Sequence, residues 1–375
     1  MKILFITEFF PTGKDLKFSG GVEARNFFLA KNLAKKHKVY VLTSKLPGTK
    51  KREKLSSFEV FRVGNIRSYD ATANNVIQRI KFIISAIKFA NTLDIDLVDS
   101  SNFVTHFAAK IVSFRKKIPH IAWYPDVWIG SWIKIAGISG VLGEILERTN
   151  LLLGANAYIA ISKETASKLK KNTNRKVYVI ACGVDQKEFA KTSPKFKNNT
   201  IICISRLAKY KNIRTLIIAF AHLSTKVKNV KLLIVGVGPE GNSLKELTKT
   251  LNIKNKVNFL SNLSRRELVE KIKSSHIFSL PSFVEGFGIA TIEACAAGIP
   301  YVNSNIPTQK EITQNGVGGF LVDPDEPMEF SEKFQQLLKN KKLYSKKSKE
   351  AKKLAIRYNW EEISRETEKI YEKII

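Results

Sequence analysis

The chain has 375 residues with 44% hydrophobic content, enough for two globular domains of ordinary size rather than one core. Its 63 Lys and Arg residues outnumber its 33 Asp and Glu residues, so the formal net charge is +30. This excess favours anionic partners such as phosphates, nucleic acid or an acidic membrane face, and no apolar run approaches the roughly 20 residues that span a bilayer.

The three cysteines, Cys182, Cys203 and Cys295, lie in apolar segments without paired spacing, which predicts reduced core residues. Reduced cysteines are typical of the cytosol. We expect no signal peptide, because the first residues predict a strand. We therefore expect a cytoplasmic protein that is soluble or peripheral on the inner face of the membrane.

The chain opens with the pattern strand, helix, strand over Lys2 to Thr7, Glu23 to Lys36 and Lys38 to Thr43. This order predicts a parallel sheet. The connecting loop ends in Gly20 and Gly21 and lacks the glycine spacing of a dinucleotide fingerprint, so a nicotinamide cofactor is poorly supported. From local pattern alone, the glycine pair fits a tight turn before a helix.

A basic amphipathic helix is predicted over Gln78 to Thr92. Its apolar stripe consists of four isoleucines at i, i+3, i+4 and i+7 spacing: Ile80, Ile83, Ile84 and Ile87. One interpretation packs this stripe into the core and leaves Arg79, Lys81 and Lys88 in water. The other places the helix against anionic lipid, because basic helices with bulky apolar residues can lie in a membrane interface.

The second half of the chain opens with a predicted strand, Thr200 to Ile204, followed by Arg206 and Lys211. An arginine at a strand end and a lysine entering the next helix can bracket a diphosphate, the arginine as a bidentate fork and the lysine as a point charge. Gly236 and Gly238 follow the next strand, at the carboxyl edge where open α/β sheets bind ligands.

The segment Pro281 to Gly298 predicts a turn and a helix around two carboxylates, Glu285 and Glu293. Gly286 and Gly288 stand at the start of the helix, where free backbone N–H groups and the positive end of the helix dipole favour hydroxyls or phosphates over a metal. The two carboxylates, on the order of 10 Å apart, could hold two ends of one elongated ligand. Spacing alone also fits a solvated acidic turn with a surface glutamate, although the apolar neighbours of Glu293 predict burial, which requires a partner.

The run E-G-F-G-x-x-x-x-E from Glu285 to Glu293, followed by A-x-A-x-G-x-P, resembles the signature of a large family of retaining, nucleotide-sugar-dependent glycosyltransferases. This is the family 4 type, or glycosyl transferases group 1. The resemblance covers nearly the whole chain. It implies the α/β architecture called GT-B, in which two Rossmann-like domains with parallel sheets face each other across a cleft.

The resemblance also implies a division of the chain into domains. An N-terminal, acceptor-side domain is expected over residues 1–185, with a C-terminal helix over 359–375 that packs back on it. A nucleotide-sugar-binding domain is expected over residues 186–358. The junction is marked by the sequence Cys182-Gly183-Val184-Asp185.

Roles for individual residues follow from the same resemblance. Glu285 would bind hydroxyls of the donor sugar, Glu293 would bind the ribose, and Arg206 and Lys211 would bind the diphosphate. The remaining donor-side positions are the turns and the helix start: Gly236, Gly238, Leu260, Gly286, Phe287, Gly288 and Ile289. The loop with Gly20 and Gly21 would lie near the donor phosphates and the acceptor.

One position departs from the family pattern. Family members carry a histidine, which contacts the transferred sugar, immediately before the aspartate that matches Asp126, whereas this chain has Pro125 there. Asp126 remains a candidate for binding a sugar hydroxyl or the acceptor. His120 lies at the start of the preceding strand and is not expected to replace the missing histidine.

We therefore predict transfer of a hexosyl group from a UDP- or GDP-sugar to an acceptor hydroxyl of a glycan, a lipid-linked molecule or a polysaccharide precursor. The resemblance implies retention of configuration without a metal or a resident cofactor, and the basic N-terminal domain predicts contact with an anionic membrane. The alternatives are a GT-B sugar-nucleotide epimerase and a catalytically degenerate GT-B scaffold. Nucleic-acid binding is not expected, because the lysines are dispersed and no nucleic-acid module is evident.

Overall fold

The computed structural model describes residues 1–12, 16–18, 20–67, 76–133 and 137–375. The chain divides into two compact units, the first formed by residues 1–182 and 360–375 and the second by residues 183–359. No helix among the described residues is both long and apolar enough to cross a membrane.

The first unit is built on an eight-stranded sheet. Its strands are β1 (Lys2–Ile6), β2 (Lys38–Ser44), β3 (Arg52–Leu55), β4 (Phe58–Val63), β5 (Leu97–Ser100), β6 (His120–Tyr124), β7 (Ala157–Ala160) and β8 (Val177–Val179). Their spatial order is β3-β4-β2-β1-β5-β6-β7-β8. The prediction of a parallel sheet is wrong only for β3, which pairs antiparallel with β4. The two-residue connection between these strands permits a hairpin and no crossover.

Helices cover both faces of this sheet. They are α1 (Gly21–Leu33), α2 (Val76–Ala90), α3 (Phe103–Lys116), α4 (Gly140–Leu153), α5 (Lys163–Lys170) and the C-terminal α14 (Trp360–Ile374). On one face, α2 and α3 pack on Leu4 and Val98, and α3 also packs against α4. On the other face, α14 packs against α1, where the Trp360 and Phe28 rings stack with centroids 5.6 Å apart.

The helix predicted over Gln78 to Thr92 is present as α2, but its buried face differs from the predicted one. Phe82, Ala86, Ile87 and Ala90 are buried. Ile80 and Ile84, which the core interpretation placed inside, are 50% and 48% exposed. The core interpretation of the isoleucine stripe is therefore wrong for these two residues, because Phe82 and the alanines occupy the positions that face the sheet.

The second unit is built on a six-stranded parallel sheet. Its strands are β9 (Asn199–Ile204), β10 (Val230–Val235), β11 (Val257–Leu260), β12 (Ile277–Leu280), β13 (Tyr301–Ser304) and β14 (Gly319–Val322). Its helices are α6 (Gln186–Phe189), α7 (Ile213–Lys226), α8 (Gly241–Thr250), α9 (Arg265–Ser274), α10 (Ile289–Ala296), α11 (Pro307–Thr313), α12 (Pro327–Lys339) and α13 (Lys341–Ile356). Both units are thus Rossmann-like α/β folds, as predicted.

The strand order β11-β10-β9-β12-β13-β14 places a reversal between β9 and β12. From β9 the chain adds β10 and β11 on one side, and then crosses to add β12, β13 and β14 on the other. In open α/β sheets, ligands bind at such a switch point, outside the carboxyl ends of the strands. The three cysteines are buried, in agreement with their predicted positions in the core.

Candidate functional site

The two loops that flank the switch point of the second unit are joined by a charged contact. Lys211 lies in a turn after β9, and its Nζ donates to Oε1 of Glu285 at 2.6 Å. Ser282 Oγ donates to the same carboxylate oxygen at 2.7 Å. The backbone N–H of Phe283 donates to the Tyr210 carbonyl at 2.9 Å, so the main chains of the two loops are linked as well. The Glu285 side chain is only 7% exposed, so this pair lies in a partly desolvated place where charges interact strongly.

The turns after β9, β10 and β11 also lie against one another. The Gly236 N–H donates to the Leu260 carbonyl at 2.9 Å, and a Cβ added at Gly236 would lie 1.9 Å from the Ser205 carbonyl oxygen. A side chain at this position would therefore separate the β9 and β10 turns. Gly238 is similarly close to the Leu207 carbonyl. The half-buried Arg206 lies between Ser205 and Leu207 in the sequence, next to the switch point.

Helix α10 begins at the switch point and directs its N-terminus to the same edge of the sheet. Gly288 precedes the helix with a φ of 92°, a conformation that favours glycine. A buried network fixes the preceding loop: Gln309 donates to the Phe287 carbonyl, and Thr308 Oγ1 donates to the Glu285 carbonyl at 2.8 Å. The N-terminal N–H groups of a helix and its dipole form an anion-binding site, so Gly286 to Ile289 can accept a phosphate group.

Glu293 lies in the second turn of α10 and is 6% exposed. Its Oε1 accepts a hydrogen bond from Arg265 Nη1 at 2.5 Å. Arg265 begins α9 and also binds Glu188 of α6, with Nη2 2.6 Å from Oε2. Burial raises the pKa of Glu188 above its usual value, although the Arg265 hydrogen bond opposes this effect. The expected partner of the buried Glu293 is therefore an arginine shared with a second glutamate.

Arg265 and Glu188 are members of this cluster that the sequence pattern did not predict. Arg265 is the first residue of α9, whose start is fixed by a capping box between Ser264 and Glu267. The burial predicted for Glu293 indicated that this carboxylate has a partner, because a buried carboxylate requires one. No local spacing identifies that partner, because Arg265 and Glu293 are 28 residues apart in the chain.

The other candidate residues belong to the first unit. Gly20 and Gly21 are exposed at the N-terminus of α1, and residues 13–15 and 19 of their loop lie outside the described residues. Asp126 follows β6 and is 8% exposed. Its Oδ1 accepts hydrogen bonds from Lys168 Nζ at 2.9 Å and from the Val127 N–H at 2.8 Å.

His120 belongs to the interior of the first unit and is 2% exposed. Its Nε2 lies 2.7 Å from Ser100 Oγ, which also contacts His106. Burial lowers the pKa of His120 to about 3, so the ring is neutral. Among the described residues, no group of three His, Cys, Asp or Glu side chains is arranged to hold a metal ion.

The structure thus places the donor-side candidates along one edge of the second unit's sheet. They are Arg206, Lys211, Gly236, Gly238, Leu260, Glu285, Gly286, Phe287, Gly288, Ile289 and Glu293. The edge carries cations, a helix N-terminus and two oriented carboxylates, a combination suited to a molecule with a diphosphate and several hydroxyl groups.

Comparison with known proteins agrees with this geometry. Residues 184–354 match the sequence profile of the family described as Glycosyl transferases group 1, and residues 19–188 match that of Glycosyltransferase Family 4. The chain is 33% identical to N-acetyl-alpha-D-glucosaminyl L-malate synthase of Bacillus anthracis over 144 residues. This aligned region covers 38% of this chain and 37% of that protein. The chain spans about half or less of the length of such curated relatives.

Two solved structures share the fold over the whole chain. Sucrose-phosphate synthase from Thermosynechococcus elongatus has a TM-score of 0.85 at 17% identity, with 100% of this chain and 99% of that chain covered. The Anabaena protein HepE in complex with UDP-glucose has a TM-score of 0.78 at 20% identity, with 100% of both chains covered. These likenesses confirm the predicted GT-B fold. Since the two profile matches together run from residue 19 to residue 354, the chain belongs to the family 4 type of GT-B glycosyltransferases, the glycosyl transferases group 1.

Proposed function

We propose that this protein transfers a sugar from a nucleotide-diphosphate sugar to an acceptor hydroxyl, with retention of the anomeric configuration. The observation that carries the proposal is the Lys211–Glu285 ion pair, 2.6 Å long, at the switch point of the second unit's sheet. The cation suits a departing diphosphate and the carboxylate suits sugar hydroxyls, so adjacent groups would bind the two parts of one donor. Membership of the family supports the same assignment.

In the proposed reaction, the bond between the anomeric carbon and the diphosphate oxygen breaks, and the acceptor oxygen bonds to the same face of that carbon. The proton of the acceptor hydroxyl passes to an oxygen of the departing diphosphate. Arg206, Lys211 and the N–H groups at the start of α10 would stabilise the negative charge that develops on the diphosphate. We assign Glu285 to the sugar hydroxyls and Glu293 to the ribose.

The donor that we propose is a UDP- or GDP-sugar, bound as a substrate without a resident cofactor or metal. The complex of HepE with UDP-glucose supports a nucleotide sugar for a protein of this fold. The acceptor that we propose is a hydroxyl of a glycan, a lipid-linked molecule or a polysaccharide precursor. It would approach the residues of the first unit, Gly20, Gly21 and Asp126.

We also propose a cytoplasmic enzyme that binds peripherally to the anionic inner face of a membrane. The supporting observation is α2, which contains cations and no acidic residue and exposes Ile77 by 70% as well as Ile80 and Ile84. Basic helices with exposed apolar side chains bind anionic lipid interfaces.

The test of the activity is a panel of UDP-, GDP- and ADP-sugars, with release of the nucleoside diphosphate measured in the presence and absence of EDTA. We expect slow hydrolysis of one donor, which names both base and sugar. EDTA should leave the rate unchanged, because Arg206 and Lys211 supply the positive charge. No donor turnover, together with no shift of Tm by any donor, would favour a degenerate scaffold.

Lys211→Ala should lower kcat for that donor by about 10²-fold or more, the usual effect of removing one transition-state electrostatic contact. The matched control is Lys209→Ala, because Lys209 is an exposed lysine in the same turn. Steady-state kinetics of both variants measures the difference. Equal kcat values for the two variants would refute the role of Lys211 at the diphosphate.

A further inference from the structure

Helix α4 of the first unit has its polar side inside and its apolar side outside. Its buried residues are Gly140, Glu147, Asn150 and Leu151. Its exposed face carries the large apolar residues Val141, Leu142, Ile145, Leu152 and Leu153, and Ile138 in the preceding turn is 91% exposed. A helix that packs on a core normally shows the opposite arrangement. Exposed apolar side chains gathered on one face indicate a surface that contacts something apolar.

Specific contacts fix this orientation of α4. The Glu147 carboxylate accepts from the Trp132 indole Nε1 at 2.6 Å, and Asn150 Nδ2 donates to the Phe103 carbonyl at 2.6 Å. A Cβ added at Gly143 would lie 2.5 Å from the Trp132 ring, so the absence of a side chain there admits the indole. Because its inner side is bonded in this way, α4 cannot rotate to bury its leucines and isoleucines without losing these hydrogen bonds.

The charges on the neighbouring helices indicate what covers this face. Helix α3 packs against both α2 and α4, and neither α2 nor α3 contains an aspartate or glutamate. Their exposed cations include Lys81, Lys88 and Arg115. On α4, Glu144 forms an ion pair with Arg148. Two copies of this chain that met through these helices would bring like charges together, whereas anionic lipid headgroups would neutralise the cations.

We infer that the outer faces of α4 and α2 form one docking surface for an anionic lipid bilayer, with the apolar side chains of α4 inserted at the boundary between headgroups and acyl chains. The inference rests on the proposed peripheral location and names its contact surface. The lysines and arginines beside the apolar residues bind lipid phosphates, as in other interfacial helices. Glu147 on the inner side of α4 binds Trp128 and Trp132 of the loop that follows Asp126, so the helix proposed to contact lipid also supports that loop.

The experiment is flotation of the full chain with phosphatidylglycerol–phosphatidylcholine vesicles and with pure phosphatidylcholine vesicles, without any donor. We expect binding to the anionic vesicles and at least about tenfold weaker partitioning of the double variant Leu142→Ser/Ile145→Ser. The matched control is Ile356→Ser, because Ile356 is 66% exposed but belongs to the second unit. This control should bind as the unaltered protein does.

Three outcomes would overturn the inference. They are equal binding of the double variant, equal binding to the two kinds of vesicle, and a vesicle-independent dimer that the double variant abolishes in analytical ultracentrifugation. Circular dichroism checks the fold of the variant, and Ile80→Ser on α2 provides a second test if the double variant does not fold. The flotation experiment contains no donor, so a negative result would overturn only the membrane surface. The proposed sugar transfer is tested separately, by the hydrolysis of donors in solution.

Discussion

At the scale of single residues, two buried glutamates of the second unit are each paired with a cationic side chain from another segment of the chain. Lys211 reaches Glu285 from the turn after β9, and Arg265 reaches Glu293 from the first turn of α9. An unpaired buried carboxylate is costly, so each cation stabilises the charge of its glutamate and fixes its position. The second contact also includes Glu188, which leaves one cation between two carboxylates.

Arg265→Gln should raise the KM for the donor by about tenfold or more and change kcat less. The reason is that a ribose contact made by Glu293 would stabilise the bound donor and the transition state alike, and this variant would release the Glu293 carboxylate from its position. Glu293→Gln should act in the same direction. Steady-state kinetics over a range of donor concentrations separates KM from kcat.

The control for this prediction is Arg266→Gln, which alters an exposed arginine in the same helical turn. It should leave both constants unchanged. If Arg265 served only the stability of α9, the Arg265→Gln variant would show a smaller active fraction, hence a lower apparent kcat, with an unchanged KM. That result would contradict the positioning role.

At the scale of elements, the sequence predicted the strands and their parallel order well, because apolar runs bounded by glycine and proline mark buried strands of such sheets. It also identified the turn at Gly236 from its place after a strand, and Gly288 from its place at the start of a helix. It did not predict which sides of α2 and α4 are buried. In α2, a stripe of isoleucines is as apolar as the face with Phe82, and only the fit to the sheet decides between them. In α4, the contacts with Trp132 override the apolar pattern.

Helix α4 contains a carboxyl group whose ionisation should affect stability. Burial raises the pKa of Glu147 from 4.5 to about 7, while the hydrogen bonds from Trp132 and the Trp128 N–H oppose that rise. The folded protein therefore binds this proton more tightly than the unfolded chain does. The stabilisation is complete below about pH 4.5 and is lost as the pH rises through about 7, a difference of roughly 3 kcal/mol.

Glu147→Gln should remove this contribution to the pH dependence, because the amide keeps an oxygen for the indole N–H and carries no charge. We expect the free energy of unfolding to fall less between pH 5 and pH 8 in this variant than in the unaltered protein. Denaturant titrations at the two pH values measure the change. Glu144→Gln on the same helix is the control and should keep the original slope, and an unchanged slope in Glu147→Gln would exclude Glu147 as its source.

At the scale of the whole molecule, the end of the chain belongs to the core of the first unit. The Tyr371 hydroxyl of α14 donates to Asp99 Oδ2 at 2.6 Å, and Arg25 binds both oxygens of the same carboxylate at 2.8 and 3.0 Å. Burial raises the pKa of Tyr371 well above its ordinary value, so the phenol remains a donor. Arg25, Asp99 and Tyr371, which are far apart in the chain, thus share one buried hydrogen-bonded cluster.

The tryptophans allow this contact to be tested in the first unit alone. All four, Trp123, Trp128, Trp132 and Trp360, belong to that unit, so their fluorescence reports its unfolding. Tyr371→Phe removes a hydrogen bond to a buried carboxylate and should lower the free energy of unfolding seen by fluorescence by about 1.5–3 kcal/mol. The control is Tyr344→Phe, which removes a hydrogen bond to the His276 carbonyl in the second unit. An equal shift of the fluorescence transition in Tyr344→Phe and Tyr371→Phe would mean that the effect is not specific to the Asp99 cluster. That result would contradict stabilisation of the first unit by the hydrogen bond between Tyr371 and Asp99.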